Sequence, residues 1–241
     1  MLNTENRSSD KPKRKKRFRK LVERKSTSSK ERVTEHYDGP AGAFLSVASK
    51  VSLHEPLVGQ LLKSKKFDVS RFKNILDIGA GAGQILGHLL KLGHPDARLV
   101  GIDLSPEMLR RARSRLKSTR PAYITADMTR LPFADESFDC ITCGWVIEHL
   151  PDPAPGLSEF ERVLQPGGSI LMLVTEDNLA GAFTSRTWHC RTINRKEFEE
   201  ACGEAGLGWK NEFWFTPLHK FFKFGGIVVE AIKNEVPTEQ P

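Results

Sequence analysis

The sequence predicts an α/β fold, an open and mostly parallel sheet with helices on both faces. Three observations carry this. From Asn74 to Thr175, short apolar runs alternate with helical patterns. The runs are near-continuously apolar, as in strands buried on both faces. The last two strand patterns are joined by PLHKFFKFGG, too short for a helical crossover, so they are expected to be antiparallel.

Taken in order, residues 1 to about 30 are rich in Lys, Arg, Ser and Asn and cannot bury enough apolar surface to order themselves. Ala43–Lys63 has helical spacing, with a break expected near Pro56. Asn74–Ile78 reads as a strand and Gln84–Leu92 as a helix. Arg98–Asp103 is a strand. Ser105–Leu116 is a helix, opened by Ser105-Pro106-Glu107, a cap followed by the proline that a first turn tolerates. Ala122–Thr125 is a short strand and Phe138–Gly144 a longer one. Ala154–Leu164 is a helix that Gln165-Pro166-Gly167-Gly168 should stop, and Ser169–Thr175 is an apolar strand. Arg195–Ala205 is a helix. Trp209–Phe215 and Ile227–Lys233 close the sheet. No internal repeat is visible.

The chain has 241 residues and a net charge of +7, with a pI of about 9.3. The charge is unevenly placed. Residues 1–32 hold 13 Lys/Arg and 4 Asp/Glu, a balance of +9, which leaves −2 for the remainder. Basicity therefore belongs to a tail. Its centre, residues 11–25, reads KPKRKKRFRKLVERK, with Phe18, Leu21 and Val22 able to share one helical face. Such a segment suits an acidic membrane surface or a nucleic acid, or remains solvated. Mean hydropathy is −0.40, and no apolar run is long enough to span a bilayer. No secretory signal is visible, so a cytoplasmic protein is expected, with peripheral contact to membrane through the tail as the variant. Four cysteines are too few for a disulfide scaffold. Cys140 and Cys143 form a CxxC, but within a strand residues three apart point to opposite faces, so they are expected to be structural and no metal is expected.

The stretch NILDIGAGAGQILGHLL places an acid and three alternate glycines between the first strand and its helix. In an open parallel sheet ligands bind at the carboxyl ends of the strands. Gly79, Gly81 and Gly83 let the backbone turn tightly and approach a ligand, and the helix N-terminus favours an anionic group. Asp103 ends the second strand, 20 residues after Gly83, where an acid can accept both hydroxyls of a ribose. The dinucleotide fingerprint GxGxxG does not fit, because the spacing is GxGxG.

Five segments occur in order: LDIGAGAGQ, GIDLSPEML, ADMTRLPFADESFDCI, EHLPDP and RVLQPGGSILM. On these the chain resembles the class I S-adenosylmethionine-dependent methyltransferases over roughly residues 33–236, with 1–32 and 237–241 as tails. The resemblance implies a seven-stranded sheet with the last strand antiparallel, and S-adenosylmethionine as methyl donor. It implies that Asp77 and the backbone of Gly79, Gly81 and Gly83 hold the methionine part. Asp103 would bind the ribose and Leu104 would lie against the adenine. Asp127 would accept from the adenine amino group, with the Met128 backbone at the ring. Trp145 would face the sulfonium, and Tyr37 resembles an aromatic that covers the cofactor in relatives. Each has a plainer reading: Asp103 as a helix cap, Asp127 as a turn residue, Trp145 as core.

An oxygen or nitrogen acceptor can need a base. His149 and Glu148 in VIEHLPD are the candidates, His149 first because imidazole titrates near neutral pH. His54 and His189 are weaker ones. The loops that the family uses for DNA bases and for metal-dependent catechols are not matched, since Trp145 stands in the decisive position and only Asp177-Asn178 fits the metal pattern. A small, partly apolar acceptor remains. Trp188, Trp214, Phe215, Phe221, Phe222 and Phe224 either line its pocket or pack the core. Two other readings stay open: a methyltransferase of RNA or protein docked by the tail, and a non-catalytic protein that binds the cofactor as a ligand. Oligomeric state is not legible.

Overall fold

The structure, a computed structural model, describes residues 54–178, 190–222 and 226–234. The basic tail, Tyr37, Trp188, His189, Phe224 and the start of the Ala43–Lys63 helix lie outside the described residues. The elements are α1 (His54–Lys63), β1 (Asn74–Ile78), α2 (Gln84–Leu92), β2 (Arg98–Asp103), α3 (Pro106–Leu116), β3 (Ala122–Thr125) and β4 (Phe138–Gly144). Then come α4 (Ala154–Val163), β5 (Leu164–Val174), α5 (Arg195–Glu204), β6 (Leu207–Glu212), α6 (Pro217–Phe222) and β7 (Ile227–Lys233). Short 3₁₀ turns span Val69–Arg71 and Ile147–His149.

The strands form one seven-stranded sheet in the order β3-β2-β1-β4-β5-β7-β6. β1 to β5 are parallel, and β7 runs antiparallel to both neighbours. This is the doubly wound, Rossmann-like sheet expected. Five strands in one direction bring the carboxyl ends of β1 to β5 to one edge, with the order reversing beside β1.

Two apolar clusters sandwich the sheet. One joins Val58, Leu61 and Leu62 of α1 to Ile85, Leu86 and Leu89 of α2, over Ile75, Leu99 and Leu171. The other joins Leu157, Phe160 and Val163 of α4 to Phe198 and Cys202 of α5, over Leu76, Ile141 and Met172. Residues 75 and 76 are both fully buried on opposite faces, which is why β1 reads as an unbroken apolar run. The same alternation separates the cysteine pair. Cys140 belongs to the first cluster and Cys143 to the second.

Several boundaries differ from the sequence reading. α1 starts at His54 with Pro56 in its first turn, where its missing N–H costs no intrahelical bond, and the stretch on the other side of the expected break lies outside the described residues. Pro166-Gly167-Gly168 does not separate α4 from the next strand. α4 ends at Val163, and β5 begins at Leu164, which pairs with Phe138 before a bulge resets the register at Cys140–Ser169. β6 is Leu207–Glu212 rather than Trp209–Phe215, although Phe213 still donates to Val228. The connection to β7 contains the six-residue helix α6, which is not a crossover, since β6 and β7 pair antiparallel.

Candidate functional site at the carboxyl edge of the sheet

The turn after β1 is built by its glycines. Gly79, Gly81 and Gly83 take φ of +67°, +52° and +80°. At Gly79 this matters most. A Cβ there would sit 2.1 Å from Cγ2 of Val146, so the turn closes against the loop after β4 only because the side chain is missing. The Ala80 amide donates to the Ile102 carbonyl at 2.8 Å, which ties the turn to β2.

Asp103, half-buried at the end of β2, holds two loops at once. Its Oδ2 accepts from the Gly81 amide at 2.8 Å and its Oδ1 from the Ser105 amide at 2.9 Å. Ser105 in turn caps α3 by accepting from the Met108 amide at 3.1 Å. The helix cap is Ser105 rather than Asp103, which instead braces the loop leading to it.

Asp77 is 1% exposed. It lies beneath the turn, level with Thr142 of β4, whose hydroxyl donates to Oδ1 at 2.6 Å. Oδ2 is buried without a hydrogen-bond partner among the described residues. Burial pushes the carboxyl up to about 7. The Thr142 hydroxyl opposes this, the Asp103 carboxylate adds to it, and the Leu86 amide pulls weakly from outside hydrogen-bonding geometry. The expectation put Asp77 against the methionine part of a cofactor. Its place under the turn makes it first a support of that turn. Thr142, the partner the sequence reading missed, was visible only as a lone hydroxyl in the apolar run FDCITCG; its facing Asp77 follows from a parallel register that no local pattern encodes.

Leu104 follows Asp103 at the same edge and is half-buried. Beyond β3, the Ala126 amide donates to the Asp103 carbonyl at 3.0 Å, which brings Asp127 and Met128 beside β2. Asp127 accepts through Oδ1 from both the amide (2.9 Å) and the hydroxyl (2.8 Å) of Thr129. The turn role is therefore real. Met128 packs against the α4–α5 side cluster.

After β4, Trp145 has φ +56°, unusual for a bulky residue, while its amide donates to the Leu173 carbonyl at 2.7 Å. The half-buried ring packs against the α1–α2 side cluster. Strain of this kind collects at functional sites, at about 1–3 kcal/mol. The 3₁₀ turn that follows separates the two base candidates. His149 is half-buried, with its amide donating to Val146. Glu148 is 1% exposed and turned inward, where Oε1 accepts from the Thr175 hydroxyl at 2.7 Å and the Thr175 amide at 3.2 Å. Burial pushes Glu148 up to about 7 against those two donors.

The aromatic set divides. Phe215 is buried in the core, Trp214 lies 5.2 Å below the Arg195 guanidinium, and Phe221 is 81% exposed. Asp177, half of the partial metal pattern, accepts from the Thr192 hydroxyl at 3.0 Å. Among the described residues no three His, Cys, Asp or Glu side chains group as metal ligands. No helix among them is long and apolar enough to cross a membrane.

Comparison with known proteins bears on this edge. Residues 76–172 match the family model described as a methyltransferase domain. A demethylmenaquinone methyltransferase of Chlorobaculum parvum is 36% identical over 104 residues, 43% of this chain and 42% of that protein. A ubiquinone/menaquinone biosynthesis C-methyltransferase of Hahella chejuensis is 32% identical over 152 residues, 58% of this chain and 61% of that protein. The chain spans 29% to 61% of the length of the curated relatives it matches. Among solved structures, a chain from the complex of the Haloferax volcanii Trm112 methyltransferase activator with its methyltransferase partner has a TM-score of 0.70 at 21% identity, over 85% of this chain and 98% of that one, a likeness of fold.

Proposed function

We propose that this chain, whose residues 76–172 match the methyltransferase domain model, is a class I, S-adenosylmethionine-dependent enzyme that transfers a methyl group to a small, partly apolar acceptor. The observation that carries this is the left-handed glycine turn closed on Val146 and braced by Asp103, a cradle that a single Cβ would fill. The residues fit the donor. The turn presents backbone, Asp103 places a carboxylate at the end of β2 where ribose hydroxyls would lie, and buried Asp77 has beneath the turn an oxygen with no hydrogen-bond partner among the described residues.

S-adenosylmethionine supplies a methyl group on a sulfonium, open to in-line displacement. The chain's part is to hold and to exclude water. Gly79, Gly81 and Gly83 are assigned the methionine end, with Asp77 supporting them from below. Asp103 and Leu104 are assigned the ribose and the adenine face, with Asp127 and Met128 at the ring's edge. Trp145 closes the site between β1 and β4, where a dry wall favours loss of the sulfonium charge. His149 is the better candidate to take a proton from the acceptor, since Glu148 is turned into the interior. The names of the quinone-methylating relatives put a quinol-type ring first among acceptors to test.

The test is calorimetric titration of S-adenosylhomocysteine into wild type and Asp103→Ala. Binding that weakens by about tenfold or more in the variant, in line with loss of charge-assisted hydrogen bonds, supports the reading. A folded wild type that binds none removes it. A second reading, methylation of RNA or protein docked by residues 11–25, is favoured by one observation, the +9 tail beside a remainder of −2.

A further inference from the structure

We propose that Glu148 is a positioning residue, which latches residues 190–193 across the carboxyl ends of β4 and β5 and so sets the wall against which the methyl acceptor rests. The latch stands on geometry alone; the acceptor's place rests on the methyl-transfer reading.

Residues 190–193 are held from two sides. On the β4 side, the Arg191 amide donates to the Glu148 carbonyl at 3.2 Å. The Arg191 guanidinium donates to the Leu150 carbonyl at 3.3 Å and to the Pro151 carbonyl. On the β5 side, the Ile193 amide donates to the Thr175 carbonyl at 2.9 Å, and the Asp177 amide returns a bond to the Ile193 carbonyl at 2.9 Å. Thr175 is where the two sides meet. Its carbonyl serves Ile193, while its amide and hydroxyl both donate to Glu148 Oε1. Removing that carboxyl would take the acceptor from the buried Thr175 amide and leave its hydroxyl to the Cys190 thiol, at the residue that anchors the segment.

Placement links the latch to the acceptor. The groups assigned to the cofactor lie at the ends of β1, β2 and β3, with Trp145 at β4. What remains of the edge is the β4–β5 side, and residues 190–193 pass there. A base must come within hydrogen-bonding reach of the proton it takes. Glu148 is 1% exposed, and Oε2 is buried with no hydrogen-bond partner among the described residues. The titratable groups that feel its charge are the thiols of Cys143 on β4 and Cys190 on the latched segment, and no basic side chain pairs with it among the described residues. A carboxyl in that setting is replaceable by its amide, whose oxygen accepts the same two bonds.

The experiment compares Glu148→Gln, Glu148→Ala and wild type by amide hydrogen exchange at Thr175, Arg191 and Ile193. It adds S-adenosylhomocysteine titration and turnover of a 1,4-naphthoquinol. In Glu148→Ala, exchange at Arg191 and Ile193 should speed up about tenfold or more, and acceptor KM should rise by a similar factor. S-adenosylhomocysteine affinity and kcat should stay within about threefold, and Glu148→Gln should restore wild-type values. Where the alanine variant does not fold, Thr175→Val removes one donor and should speed exchange in the same direction. Unchanged protection in Glu148→Ala overturns the latch. A glutamine variant as damaged as the alanine variant overturns it in favour of a base. Loss of S-adenosylhomocysteine affinity in step with protection overturns the link to the acceptor side. A wild type that binds no S-adenosylhomocysteine removes the methyltransferase reading, while the exchange measurement still decides the latch.

Discussion

At Gly79 two costs coincide. The residue holds φ +67°, and a Cβ would press on Val146 at 2.1 Å. A left-handed alanine costs about 1–2 kcal/mol, and a clash in packed surroundings adds about 1–3 kcal/mol. The clashing atoms belong to the residue after Trp145, so relief would push the β4 loop away from the turn. Gly79→Ala should therefore lower the melting temperature and weaken S-adenosylhomocysteine binding by more than about tenfold, more than its stability loss alone would cause. Calorimetry of folded variant protein checks it. A variant that is less stable but binds as wild type would separate the turn from the ligand.

Between elements, the Asp77–Thr142 contact joins β1 to β4 in the sheet interior, and it makes stability depend on pH. The folded carboxyl titrates near 7, above its unfolded value of 3.8. The fold thus prefers the protonated form. That contribution is full below the unfolded value, declines as pH rises towards 7, and is gone above it. Asp77→Asn keeps an oxygen for Thr142 and cannot ionise. Relative to wild type it should gain stability between pH 5 and 8, by about 3 kcal/mol at most. Denaturant melts across that range test the sign, and a constant difference between the two proteins would refute it. The same contact marks the limit of what the sequence reveals. The five parallel strands, the glycine turn and the Ser105 cap were legible, because each is written in contiguous residues: apolar runs, alternate glycines, Ser-Pro-Glu. Thr142 opposite Asp77, Thr175 behind Glu148 and Val146 over Gly79 were not, since each pairs residues 27 to 67 positions apart through strand register. The boundary differences have the same origin. Leu164 joins β5 because Phe138 is there to pair with it, despite the Pro166-Gly167-Gly168 that follows.

Across the whole molecule, charge is divided between a tail of +9 and a remainder of −2. If the tail docks the protein on a polyanion, its contribution is long-range attraction screened over about 10 Å at 0.1 M salt. The site at the carboxyl edge, by contrast, is held by Asp103, Asp77 and the glycine turn, all within the folded chain. Deleting residues 1–32 should therefore leave S-adenosylhomocysteine affinity and thermal stability within about twofold and 2 °C, because no group of the site is removed. It should abolish binding to anionic vesicles at low salt, where each basic residue adds about 1 kcal/mol. Phe18, Leu21 and Val22 make one further distinction. If they insert into lipid, Phe18→Ser should weaken vesicle binding but not binding to single-stranded RNA, whose affinity should instead fall steeply with salt in the intact chain. Equal vesicle and RNA binding with and without the tail would assign it neither role. Turnover of a small acceptor that survives deletion unchanged would exclude a macromolecular substrate docked by it.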